Sequence, residues 1–184
     1  LYEVAEGTSR VSAIVGALKS YSYLDQAPVQ EVDIAHGLDD TLLILRSKVA
    51  DITVRREYDP ALPKIDAYGS ELNQVWTNLI DNAADAVAES GRDDGEVIVR
   101  AFPEGDQVVV EIEDNGAGIP PEIQDRVFDS FFTTKPPGSG TGLGLDISFG
   151  IVVNKHRGDL RLASSRPGCT VFRVELPRNA APDG

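Results

Sequence analysis

The sequence predicts an α/β two-layer sandwich, a mixed sheet with helices gathered on one face, preceded by an N-terminal helix. Three observations predict it. Residues 69 to 89 carry Leu72, Val75, Leu79, Ala83 and Ala86 on one stripe at helical spacing. Short runs in the second half of the chain alternate apolar and polar residues with period two, as half-buried strands do. The order helix, strand, helix, two strands, helix, two strands favours pairing between strands that are neighbours in the chain.

Residues 1 to 24 place Val4, Val11, Ile14, Leu18 and Tyr21 at the alternating spacing of a heptad seam. Such a helix either seeks a partner helix or folds back onto the domain, and spacing alone does not separate the two. The polar segment 25 to 33, DQAPVQEVD, contains a proline and is read as a linker. A helix is expected over 34 to 49, followed by a strand in ITVRREYD that PALP breaks. The long helix over 69 to 89 comes next. Val97, Val99 and Ala101, then Val108, Val110 and Ile112, form a hairpin around PEGD. A Gly- and Pro-rich stretch from 114 to 144 leads into a helix over 143 to 155. Strands over 160 to 163 and 170 to 176 flank the turn SSRPG. The globular domain is expected over 34 to 177, and the tail 178 to 184 reads as disordered.

A formal charge of −13 over 184 residues disfavours free nucleic-acid binding. The lone Cys169 excludes an intramolecular disulfide framework and any CxxC metal site, which fits a reducing, cytoplasmic setting. There is no run of about 18 apolar residues and no secretory pattern at the N-terminus, so no membrane insertion of this segment is expected. A chain that begins at Leu1 and holds no methionine reads as a piece of a longer polypeptide.

Three stretches carry chemistry. Asn78 and Asn82 lie four apart on the long helix and project from one face, with Asp85 further along the same stripe. An amide oxygen is a hard, neutral ligand of the kind Mg²⁺ accepts beside substrate phosphates, although an isolated pair of asparagines more often faces solvent or caps backbone. DNGAGIP, 114 to 120, follows a strand: Asp114 is able to accept a hydrogen bond from an exocyclic amine such as adenine N6, and Gly116 and Gly118 let backbone approach a flat ligand. On its own this stretch reads more readily as a structural turn. GSGTGLGL, 138 to 145, spaces glycines at alternate positions just before a helix, an anion cradle for a polyphosphate, with Lys135 ahead of it as a cation. It has neither Walker nor GxGxxG spacing. The apolar flank Phe128, Phe131 and Phe132 argues for a glycine-hinged lid over a free linker.

Taken in order, NLIDNAADA (78 to 86), DNGAGIP (114 to 120), FDSFFTTK (128 to 135) and GSGTGLGL (138 to 145) resemble the N, G1, F and G2 boxes of the GHKL ATP-binding domain of sensor histidine kinases, and PGCTVFRVELP (167 to 177) is similar to its closing G3 segment. The resemblance covers about 34 to 177. It implies the GHKL ATP-binding fold and the cofactors ATP and Mg²⁺. It assigns the metal to Asn82, phosphate support to Asn78, the adenine N6 to Asp114, and the adenine pocket to Gly116, Gly118 and Thr170. It adds Ile119, Phe132, Thr141 and Leu143 to the nucleotide-binding residues, gives phosphate contacts to Gly140, Gly142 and Gly144, and makes Asn78 and Lys135 the catalytic residues.

The implied function is that of a two-component sensor histidine kinase, whose catalytic domain delivers the ATP γ-phosphoryl group to a histidine on a dimerisation helix and thence to a response regulator. Residues 9 to 24 resemble the second helix of the family's dimerisation hairpin, making 1 to 24 a partial dimerisation helix of the nitrogen-regulation type. His36, in HGLDD, and His156, in NKHRGD, do not match the acceptor pattern, so the acceptor is expected upstream. A GHKL-type ATPase or clamp, or a non-catalytic nucleotide-binding module, is the alternative. Hydrolases of this fold carry a glutamate where this chain has Asn78, and an amide cannot take a proton from water.

Overall fold

The computed structural model describes residues 29 to 135 and 140 to 178. The expected dimerisation helix, 1 to 24, lies outside them, as does all of the expected tail except Arg178. The elements run β1 (Gln30–Val32), α1 (Ile34–Ile44), β2 (Thr53–Tyr58), β3 (Ile65–Ala67), α2 (Gly69–Ser90), β4 (Glu96–Glu104), β5 (Gln107–Asp114), α3 (Pro121–Gln124), α4 (Gly144–Phe149), β6 (Asp159–Arg166) and β7 (Cys169–Pro177). Five strands form one sheet in the order β2-β4-β5-β7-β6. β2 pairs with β4 in parallel and the remaining pairs are antiparallel, so the sheet is mixed as expected.

Alternation along the strands produces the two layers. Val97, Val99 and Ala101 of β4, Val108, Val110 and Ile112 of β5, and Phe172, Val174 and Leu176 of β7 turn one face of the sheet toward the helices. α2 meets them with Leu72, Val75, Leu79 and Ala83, and its further apolar residues Trp76 and Ile80 belong to the same core as Ile34, Leu38 and Leu42 of α1. The opposite face sets charged residues beside the buried Ile98 and Val109. There Arg100 bonds Glu57 at 2.8 Å and Glu113 at 2.6 Å, and Arg173 bonds Glu111 at 2.9 Å and Glu175 at 2.7 Å. These part-exposed ladders cover the outer face more than they stabilise it.

Several boundaries differ from expectation, each for a local reason. Gln30–Val32, inside the segment read as a linker, is a strand paired with the unexpected β3, and Asp33 caps α1 by accepting from the His36 N–H at 3.0 Å. Three-residue strands are too short for alternation to reveal. α1 stops at Ile44, and residues 45 to 50 wind through hydrogen-bonded turns that lead into β2. The helix expected over 143 to 155 is α4 followed by π-helical turns, Gly150–Lys155, where the His156 N–H reaches back five residues to the Ile151 carbonyl at 3.1 Å. β4 runs through Pro103 and Glu104, and β6 through Ser164 and Ser165, so both turns are tighter than PEGD and SSRPG suggest. Arg178, the first residue of the expected tail, is held by the sheet: its N–H donates to the Asp106 carbonyl at 3.1 Å, and its carbonyl accepts from Asp66 at 3.2 Å.

Candidate functional site

A cavity of about 500 Å³ opens between one side of α2, the end of β5, the start of β7 and the glycine-rich segments on either side of α3 and before α4. That volume suits a nucleotide-sized ligand. Asn78, Asp81, Asn82, Asp85, Ala86 and Glu89 line it from α2. Ala86, expected in the core stripe, faces the cavity instead. Asp114, Gly118, Ile119, Phe132, Lys135, Gly140, Thr141, Gly142, Gly144 and Thr170 also line the cavity, so segments far apart in sequence converge on one place.

Gly116 and Leu143 do not line it. Gly116 lies behind the wall, its N–H donating to Asp114 Oδ1 at 2.9 Å and its carbonyl accepting from Gly168 at 2.8 Å. The Leu143 carbonyl accepts from Ile147 at 2.9 Å, at the first turn of α4. Phe128 and Phe131 are not wall residues either. Phe128 packs on Phe149 and Phe172 with ring centroids 5.6 and 6.2 Å away, and Phe131 is 63% exposed.

At the inner end, Asp114 closes β5 opposite Thr170 of β7, and both are buried. Burial pushes the Asp114 carboxyl up to about 6, against the lowering effect of the Gly116 N–H bond. One oxygen is thus anchored by backbone. Thr170 Oγ1 lies 3.4 Å from Ser165 Oγ, and Ser165 Oγ also accepts from the Ile119 N–H at 2.8 Å, which braces the loop after β5 against β6.

At the outer end the charges gather. Asn78 Nδ2 donates to the Gly144 carbonyl at 2.9 Å and to Ser148 Oγ at 3.0 Å, fastening the start of α4 to α2. Lys135 Nζ is ion-paired with Asp85 Oδ2 and stands 3.5 Å from Asn82 Oδ1. Lys48 bonds Asp81 at 3.0 Å and the other Asp85 oxygen at 2.5 Å. Burial works to raise the Asp85 carboxyl, but the two lysines outweigh it and hold it below the usual carboxylate range. The Asn82 amide oxygen already faces a cation, and its donor chemistry fits a hard metal ion.

Sequence reasoning missed Lys48, Glu89, Thr133, Thr134, Ile123, Val127, Leu145 and Phe172. Helical spacing from Asn78 points to Glu89, whereas nothing local to Lys48 connects it to residues more than thirty positions later. His156 is no part of the site. It is fully buried, with Nδ1 donating to the Ile151 carbonyl at 2.8 Å and Nε2 accepting from the Tyr68 N–H at 3.1 Å, and burial lowers its affinity for a proton. His36 lies on the exposed side of α1, 3.5 Å from Asp40.

Fold and site together define a nucleotide-binding domain of one class: residues 68–180 match the family described as Histidine kinase-, DNA gyrase B-, and HSP90-like ATPase, and the chain belongs to that family. Among curated relatives it is 35% identical over 191 residues to the sensory histidine kinase/phosphatase NtrB of Azospirillum brasilense, covering 95% of this chain and 46% of that protein. It is 32% identical to the sensor kinase CckA of Brucella abortus (strain 2308), covering 97% of this chain and 20% of that protein. The chain therefore spans a fifth to a half of these relatives. The nucleotide-free catalytic domain of histidine kinase ThkA superposes with a TM-score of 0.73 at 27% identity, covering 83% of this chain and 97% of that one. The expected fold and the expected family are both borne out: this is an ATPase-type catalytic domain like those of sensor histidine kinases.

Proposed function

We propose that this chain is the ATP-binding catalytic part of a two-component sensor histidine kinase, acting in the cytoplasm. It holds Mg·ATP so that a histidine on a dimerisation helix attacks the γ-phosphorus, the bond to the β–γ bridging oxygen breaks and ADP leaves, after which the phosphoryl group passes from that histidine to an aspartate of a response regulator. Asp114 accepts the adenine N6 amine, with Gly118, Ile119 and Thr170 around the ring. Asn82 holds Mg²⁺ through its amide oxygen, and the metal offsets charge on the phosphates in an acidic chain. Lys135 and the backbone of 140 to 144 take the phosphates at the start of α4. Phosphoryl transfer asks mainly for positioning and charge stabilisation, and these residues supply both.

Asn78 carries the choice of kinase over hydrolase. Its amide tethers Gly144 and Ser148 where a water-activating carboxylate would have to stand. The nearest carboxylates along α2 are poor substitutes, since Asp81 and Asp85 are both ion-paired to Lys48. Neither histidine of the described region serves as acceptor. His156 is buried with both ring nitrogens bonded, and His36 sits on the domain's own first helix.

Incubation with γ-labelled ATP tests the reading. The chain alone takes up no acid-labile phosphate and turns ATP over slowly, but labels a separately supplied dimerisation domain bearing the acceptor histidine. Rapid, sustained ATP hydrolysis by the chain alone, with no transfer, would instead favour a hydrolase or clamp.

A further inference from the structure

The Asp85 carboxylate is shared between two lysines from opposite sides of the site. Oδ1 takes Lys48, which arrives from the turns after α1 and also bonds Asp81 at 3.0 Å, and Oδ2 takes Lys135, which arrives from the segment after α3. The two lysines are not equivalent. Lys48 has two carboxylate partners on successive turns of α2 and joins the chain after α1 to that helix. Among the described residues Lys135 has one carboxylate partner; it lines the cavity and holds its ammonium 3.5 Å from Asn82 Oδ1.

An ammonium at that position occupies the cation-seeking side of the Asn82 amide and is repelled by any divalent ion brought there. Its departure leaves no orphaned charge, because Asp85 keeps Lys48 and remains paired. The pair is part-exposed, each side chain at 21%, and with Lys48 still on Asp85 breaking it costs less than breaking an isolated buried pair. A phosphate oxygen entering the cavity offers the ammonium a second anionic partner.

We propose that Asp85 is a positioning residue, the resting dock of the Lys135 ammonium, which hands that lysine to the nucleotide phosphates as Mg·ATP enters while Lys48 holds Asp85 in place. The proposal rests on the nucleotide-binding reading above. Asp85 touches neither nucleotide nor metal in this scheme and acts only through Lys135.

A double-mutant cycle tests it. A non-hydrolysable ATP analogue with Mg²⁺, and separately adenosine, are titrated calorimetrically into the 184-residue chain, Asp85→Asn, Lys135→Gln and the double variant. Asp85→Asn is expected to tighten the analogue by about two- to fivefold, the scale of a part-exposed ion pair removed from the free state. In the Lys135→Gln background the same substitution leaves the analogue unchanged, and adenosine binds all four proteins alike. Weaker analogue binding by Asp85→Asn would mean that Asp85 serves the bound state and would overturn the proposal. Equal tightening in both backgrounds would mean that Asp85 acts by bulk charge, and would overturn it too. Failure of the unmodified chain to bind either ligand would instead remove the nucleotide reading and the dock with it. Intact adenosine binding with no coupling removes the dock alone.

Discussion

The Asn78 side chain on α2 reaches across to the Gly144 carbonyl at 2.9 Å and fixes where α4 begins. Its Nδ2 spends its second proton on Ser148 Oγ at 3.0 Å, one turn further along α4. Ser148 Oγ in turn donates to Gly144 O at 2.8 Å, so three polar groups close on one another at the back of the site.

Asn78→Ala therefore removes two hydrogen bonds in a part-buried place, and a loss of about 1–2 kcal/mol is expected in urea denaturation. Asn78→Asp is expected to cost more, because it sets a carboxylate oxygen against the Gly144 carbonyl. Both variants are expected to weaken binding of an ATP analogue more than binding of adenosine, since the tether positions the end of the cavity proposed to hold the phosphates. Equal weakening of the two ligands would argue against that division.

The Asp114 carboxyl sits at about 6, above its ordinary 3.8, because it is buried. A ligand amine that donates to Asp114 favours the ionised form, so adenosine affinity is expected to fall as pH drops through 6. The loss approaches tenfold for each unit below that value. Adenosine carries no phosphate and isolates the effect. Asp114→Asn should bind adenosine more weakly at pH 7.5 and show a flat profile down to pH 5, readable by calorimetry.

His156 makes folding stability depend on pH. Burial keeps it neutral in the folded chain, so below the ordinary value of 6.5 the unfolded chain binds a proton that the native state refuses. The contribution of His156 is complete above 6.5 and declines as pH falls toward its lowered folded value. His156→Ala leaves the Tyr68 N–H and the Ile151 carbonyl without their ring partner, an expected cost of about 2–4 kcal/mol. Between pH 7.5 and 5.5 the melting temperature of the unmodified chain should fall relative to that of His156→Ala, because the opposite contribution of Asp114 is common to both proteins.

The long helix, the hairpin and the glycine-rich segments were legible because their signals are local: the stripe from Leu72 to Ala83, the alternation around Val99 and Val110, and glycines before α4. The pairing of Val32 with Ile65 was not, since two three-residue strands carry no period. Of the site, the asparagines of α2, Asp114 and Lys135 were readable as types at spacings. The hold of Lys48 on Asp81 and Asp85 was invisible because only the turn after α1 brings it there. The reason for particular glycines also changes. A Cβ at Gly118, whose φ is +79°, would meet the Arg166 carbonyl carbon at 2.6 Å, and one at Gly142, at φ +67°, would meet that of Phe131 at 2.4 Å. Those positions are glycine because other backbone passes there, before any ligand is considered.

The central claim is that the cavity binds Mg·ATP with Asn82 at the metal. Calorimetric titration of a non-hydrolysable ATP analogue into the chain and into Asn82→Ala, each with and without Mg²⁺, tests it most directly. The account predicts Mg²⁺-dependent binding by the chain, and for the variant an affinity that Mg²⁺ no longer improves while adenosine binding is retained. Equal enhancement by Mg²⁺ in both proteins, or no binding by the unmodified chain under either condition, would contradict it.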